Sequence, residues 1–158
     1  MSYSPDTGQV SAIWRPSAQI EPLVRPTYSV KFTAPGSVTG GQYGLFRWEM
    51  QPKAGGPDPH FHKTFSEAFY ILDGSVQLYN GSDWVETNAG DFLYVPMGGI
   101  HAFSNQTDAP AAMLILFAPG VAREAYFTEL AEIGNSGRKL GPEEWTELYA
   151  RHDQYMVR

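Results

Sequence analysis

The chain has 158 residues, enough for one compact domain with a substantial core. Its net charge is −6 and it contains no run of basic residues, which argues against nucleic acid as a partner because phosphate binding needs clustered Lys and Arg. Cysteine is absent, so disulfides, thiolate catalysis and thiolate metal sites are excluded. The longest apolar run, Ala111 to Pro119, is too short to cross a bilayer, and the first residues have neither a charged nor an apolar leader region. A cytoplasmic protein is the expectation. Aromatic residues make up 14% of the chain, which favours β-structure and ligand cavities.

Residues 1–40 are polar and punctuated by Pro5, Pro16, Pro22, Pro26 and Pro35; they read as an arm with extended pieces, part of the same domain. From residue 41 the pattern changes. Tyr43, Leu45, Arg47 and Glu49 alternate with Gly44, Phe46, Trp48 and Met50, a strand period. A Gly/Pro-rich loop leads into His60-Phe61-His62. Two strands joined at Asp73-Gly74, a strong hairpin dipeptide, are expected next, with further turns at Asn80–Asp83 and Asn88–Asp91. Strands at Phe92–Pro96, Ile100–Asn105 and Ala111–Pro119 complete residues 41–119. Short strands between regular turns predict an all-β sandwich or closed barrel. Residues 120–158 differ: Tyr126, Leu130 and Ile133 lie at helical spacing with Gly134 as the stop. Pro142 and two glutamates open a second helix that places Trp145, Leu148, Tyr149 and His152 on one face. Both helices are expected to pack on the outside of the barrel.

Alternate strand residues face the same way, so His60 and His62 enter one space and Phe61 the opposite one. Paired imidazoles in an interior pack poorly unless a metal or another partner meets them. Glu67, five residues on, can turn towards the same point. Taken alone, this stretch also fits two surface histidines in a loop.

A second stretch narrows the choice. Gly90, Pro96, Gly98, His101 and Asn105 follow at set spacings, and with His60, His62, Glu67 and Gly74 they resemble the two-part signature of the cupin superfamily. The leading glycine of the first part is displaced: Gly55 leaves four residues before His60 where that pattern has five. The resemblance implies a double-stranded β-helix (jelly-roll) barrel with an N-terminal arm and two short C-terminal helices. It also implies one divalent transition metal ion (Fe, Mn, Ni, Co, Cu or Zn) held by His60, His62, Glu67 and His101. Phrases around these motifs are similar to small single-domain quercetinase-like cupins. That likeness implies a dioxygenase acting with dioxygen on a hydroxylated aromatic, flavonol-like small molecule, with Glu67 as ligand and general base together. Phe46, Trp48, Phe69, Phe92, Phe103 and Phe117 are the candidate substrate-lining aromatics. Other readings are a metal-dependent isomerase, epimerase or cyclase of a sugar or secondary metabolite, or a non-catalytic small-molecule-binding domain. Members of this kind commonly pair through barrel edges and an exchanged N-terminal strand, so a homodimer is expected. His152, near a helix end, reads as structural or exposed.

Overall fold

The computed structural model describes residues 2–158. Its elements are β1 (Leu23–Val24), β2 (Tyr28–Ala34), β3 (Gly44–Met50), β4 (His60–Phe61), β5 (Ser66–Asp73), β6 (Ser75–Tyr79), β7 (Trp84–Asn88), β8 (Phe92–Val95), β9 (Ala102–Ser104) and β10 (Ala111–Ala118), then α1 (Arg123–Ser136), α2 (Pro142–Arg151) and β11 (Tyr155–Met156). All strand pairings are antiparallel. One sheet has six strands in the order β1-β2-β3-β10-β5-β8; opposite it lie β7-β6-β9 and the pair β11-β4. A reciprocal backbone bridge between His60 and His101, which immediately precedes β9, runs the two smaller sheets together. The result is the jelly-roll arrangement, in which two facing sheets enclose one core.

Alternation decides what each strand buries. Phe46, Trp48 and Met50 of β3 point inward, as do Phe69 and Ile71 of β5 and Met113, Ile115 and Phe117 of β10. The aromatic rings interlock edge to face: Phe46 lies 5.2 Å from Phe117, and Trp48 lies 5.6 Å from Phe103. Such edge-on packing suits the ring quadrupoles and adds to the burial energy.

Three local expectations change in the folded chain. The arm is shorter than residues 1–40, because β2 is an integral strand paired with β3 from Tyr28 to Ala34. Asp73-Gly74 is no hairpin: β5 and β6 belong to different sheets, and the dipeptide carries the chain from one to the other. Gly74 adopts φ +69°, and a β-carbon there would lie 2.5 Å from the Pro110 carbonyl oxygen, so the corner admits only glycine. Gly134 does not end α1. The stop is Gly137, left-handed at φ +70°, while Gly134 remains helical beneath the Arg25 guanidinium.

The second helix starts as its sequence predicts. Pro142 occupies the first turn and the Glu144 carboxylate accepts the Gly141 N–H at 2.9 Å. No helix among the described residues is long and apolar enough to cross a membrane.

Candidate metal centre

His60, His62, Glu67 and His101 each offer a donor atom, and these atoms all lie within 4.8 Å of one another; all four residues are buried. They come together for separate reasons. His60 and His101 sit directly opposite each other and exchange both backbone bonds, at 3.1 and 2.9 Å, which puts their side chains on one face. Strand alternation adds His62. Glu67 projects inward from β5, between Phe117 of β10 and Val95 of β8. The turn before His101 is fixed by Gly98 at φ +80°, whose N–H donates to the His62 carbonyl at 2.7 Å.

The second ring nitrogen of each histidine is engaged. Nδ1 of His60 donates to the Asp58 carbonyl at 2.8 Å, that of His62 to the Asp153 carbonyl at 2.7 Å, and that of His101 to the Gly99 carbonyl at 3.0 Å. A carbonyl only accepts, so every Nδ1 carries a proton, and without a second proton Nε2 turns a bare lone pair towards the centre. One Glu67 oxygen lies 3.1 Å from Nε2 of His62 and 2.8 Å from Nε2 of His101. Lone pairs facing a carboxylate repel, so the cluster is stable only with extra protons on those rings or with a cation among the four donors.

The electrostatics follow the same logic. Burial, with His101 beside it, pushes His60 down to about 3, so that ring is neutral. Burial alone would raise Glu67, but the charge and hydrogen bond of His101, then those of His62, hold it well below the usual carboxylate range. Burial lowers His101, and the Glu67 carboxylate outweighs it to leave the ring raised.

The donor set fits a divalent transition ion. Donors opposite each other on such an ion are about 4.4 Å apart at metal–ligand distances near 2.2 Å, close to the 4.8 Å bound here. Three imidazoles anchored through their other nitrogen to carbonyls are the supporting pattern of a metal ligand.

His60 and Glu67 also form part of the wall of a cavity of about 400 Å³, together with Trp48, Phe103, Arg123 and Tyr126. Of the aromatics expected to line a substrate site, Trp48 and Phe103 reach this cavity. Phe46 and Phe117 are wholly buried in the core, and Phe69 is packed behind the centre, 5.9 Å from the His101 ring. Phe92 is a correction. It is 63% exposed, because on β8 it pairs with Tyr70 on the outer face while Leu93 and Val95 turn inward. His152 ends α2 and its Nε2 meets Glu129 at 2.5 Å, away from the cluster.

The C-terminal segment supplies what the sequence motifs omit. Tyr126, Phe127, Trp145, Tyr149 and Gln154 line the same cavity, so the two helices close it rather than merely covering the barrel. Asp153, at φ +53°, supports His62 through its carbonyl and binds Lys63 and Thr64 through its carboxylate. Apolar helical spacing signals that Tyr126 is inward; nothing in the sequence distinguishes Arg123 or Asp153 from ordinary surface charges.

Residues 46–117 match the family model of the Cupin domain. Quercetin 2,3-dioxygenase of Bacillus subtilis (strain 168) is 29% identical over 94 residues, 60% of this chain, and the chain spans only 27% of that relative's length. Among solved structures, KdgF from Halomonas sp. superposes with a TM-score of 0.64 at 15% identity, over 72% of this chain and 99% of that one. The polyketide cyclase RemF from Streptomyces resistomycificus superposes with a TM-score of 0.57 at 20% identity, over 70% of this chain and 80% of that one. At such identities the two structures share the fold. With the family match and the histidine-bearing motifs, residues 46–117 form a cupin domain.

Proposed function

We propose that this protein is a metal-dependent dioxygenase acting on a hydroxylated aromatic small molecule. The observation that carries the reading is the four-donor cluster opening, through His60 and Glu67, onto a cavity walled by aromatic rings. Nε2 of His60, His62 and His101 and a carboxylate oxygen of Glu67 would hold the ion. When bound, the ion supplies Lewis-acid and one-electron chemistry that brings a substrate hydroxyl and dioxygen into reaction. Both atoms of dioxygen enter the ring-opened product, so no outside reductant is needed.

The chain's own contribution is positional. Glu67, ionised and facing the cavity, takes the proton of the substrate hydroxyl. Trp48, Phe103 and Phe127 hold a planar ring between apolar walls and keep bulk water away. His60, held neutral, keeps its lone pair for the ion and not for the substrate proton.

Oxygen uptake with quercetin and a panel of hydroxylated aromatics, in protein loaded separately with each candidate metal, tests this. No metal-dependent uptake with any combination would refute it. An ionised Glu67 facing the cavity also suits moving a proton between substrate atoms without oxygen, the basis of an isomerase or cyclase reading. Turnover that persists under strict anaerobiosis would favour that reading. Tight binding without turnover would leave a binding protein.

The assembly expected is a homodimer. Val10, Ile13 and Trp14 of the arm are exposed, as are Tyr70, Phe92 and Tyr94 on the outer face of β5 and β8, and both surfaces are apolar enough to seek cover. Light scattering on the eluting protein tests this, and a monomer at micromolar concentration would refute it.

A further inference from the structure

The least expected charge in the molecule is Arg123, the first residue of α1, which is only 5% exposed. Its guanidinium lies against the ring faces of Tyr126, Phe65 and Phe127, at 4.4, 5.3 and 5.5 Å. Nη1 donates to the His152 carbonyl at 2.8 Å and Nη2 to Gln154 Oε1 at 3.2 Å, while Nε has no hydrogen-bond partner. Both acceptors are neutral, and among the described residues no carboxylate comes within ion-pairing distance of it.

The carboxylates nearest in effect are already committed. Glu67 serves the histidine cluster, and Asp153 serves the Lys63 and Thr64 amides. A buried cation without a dedicated counter-charge is costly, and an ion held by the four donors makes the interior more positive still.

A second orphan stands on the same wall. Trp48 Nε1 is buried with no acceptor, and Trp48 and Arg123 both line the cavity. Donors left bare beside an open cavity call for acceptor oxygens on whatever fills it.

We propose that the cavity's occupant is a planar aromatic carboxylate, with the Arg123 guanidinium and Trp48 Nε1–H donating to its oxygens. This rests on the cavity being the substrate site and makes that substrate a hydroxylated aromatic acid, not a neutral flavonol. The rings of Trp48, Phe103 and Tyr126 accept the flat body, Arg123 takes the carboxylate, and the hydroxyl faces Glu67. Arg123 is then a specificity residue whose removal changes which molecules enter.

The test uses direct binding, not turnover. 2-Naphthoate and its neutral counterpart 2-naphthamide are titrated calorimetrically into the full chain, metal-free and zinc-loaded. Naphthoate is expected to bind about tenfold or more tightly than the amide in both states. Arg123→Met should abolish that preference, with naphthoate losing far more affinity than the amide. Trp48→Phe, which removes the indole N–H together with part of the ring, should weaken both probes. If Arg123→Met does not fold, the wild-type ratio and the Trp48 variant still decide. Equal affinity for the two probes, or no binding of naphthoate at millimolar concentration, would overturn the proposal. A charge preference without oxygen uptake would refute the dioxygenase reading alone; oxygen uptake without charge preference would refute only this one.

Discussion

Replacing Asp153 by alanine tests how the strand bearing His60 and His62 is held in place. The Asp153 carboxylate accepts the Lys63 N–H at 3.0 Å, the Thr64 N–H at 2.8 Å and the Thr64 hydroxyl at 2.6 Å, all just beyond β4. At about 1 kcal/mol for each hydrogen bond in a partly exposed place, their loss costs about 3 kcal/mol. Asp153 also sits at φ +53°, where alanine adds about 1 kcal/mol of strain that aspartate partly relieves by local bonding. Urea unfolding followed by tryptophan fluorescence should therefore record a loss of about 3–4 kcal/mol. Asp153→Gly should recover about 1 kcal/mol of it, since glycine accepts a left-handed backbone. Because the neighbouring carbonyl holds His62, competition against a chromogenic chelator should show metal affinity down about tenfold. The pH dependence has a definite sign. Burial raises Asp153, but the Thr64 hydroxyl and the two amides outweigh it and leave the carboxyl low. The tie is complete above the unfolded aspartate value of about 3.9 and fades as acid drives the pH through the lower folded value. The alanine variant should lack that part of the acid sensitivity. A stability loss under about 1 kcal/mol, with unchanged metal affinity, would refute the idea that this carboxylate anchors the strand.

Other expectations concern the centre and its frame. A divalent metal at a hundred times its dissociation constant should stabilise the protein by about 2.7 kcal/mol, or about 5–10 °C in a thermal melt, and a chelator should reverse it. Substituting His60, His62, Glu67 or His101 by alanine should sharply lower metal content by elemental analysis; unchanged stoichiometry would refute the ligand assignment. Asn105→Ala should cost about 3 kcal/mol in chemical denaturation, because the buried amide donates to the Gln51 and Ala109 carbonyls and accepts the Thr107 N–H. Gly74→Ala should destabilise by at least about 2 kcal/mol through its left-handed backbone and the close Pro110 carbonyl; a neutral effect would mean that the corner between sheets is pliable.

How far the sequence could be read depended on whether local geometry sufficed. The clustering of four donor side chains was legible because strand alternation places His60 and His62 together and the resemblance of the motifs brings in Glu67 and His101. Trp48 emerged from its strand in the same way. Phe92 did not, because parity within a short edge strand depends on its pairing with Tyr70, which only the folded sheet reveals. Asp73-Gly74 announced a left-handed residue correctly, yet a dipeptide cannot say whether the next strand pairs with the last or leaves for another layer. Arg123 was opaque for a deeper reason. Its burial arises where α1, β11 and the aromatic core meet, three elements far apart in the chain, and a charged residue opening a helix ordinarily reads as solvated.

The two-residue pairing of β11 with β4 has a temporal consequence. Tyr155 and Met156 flank the strand holding His60, and the backbone oxygen that orients His62 belongs to Asp153, so the inner coordination frame is completed by residues translated after every donor. A nascent chain ending before them has all four donor side chains but lacks the brace that aims them. Assembly of the four-donor geometry therefore waits until Asp153 and β11 have been made and have docked on β4.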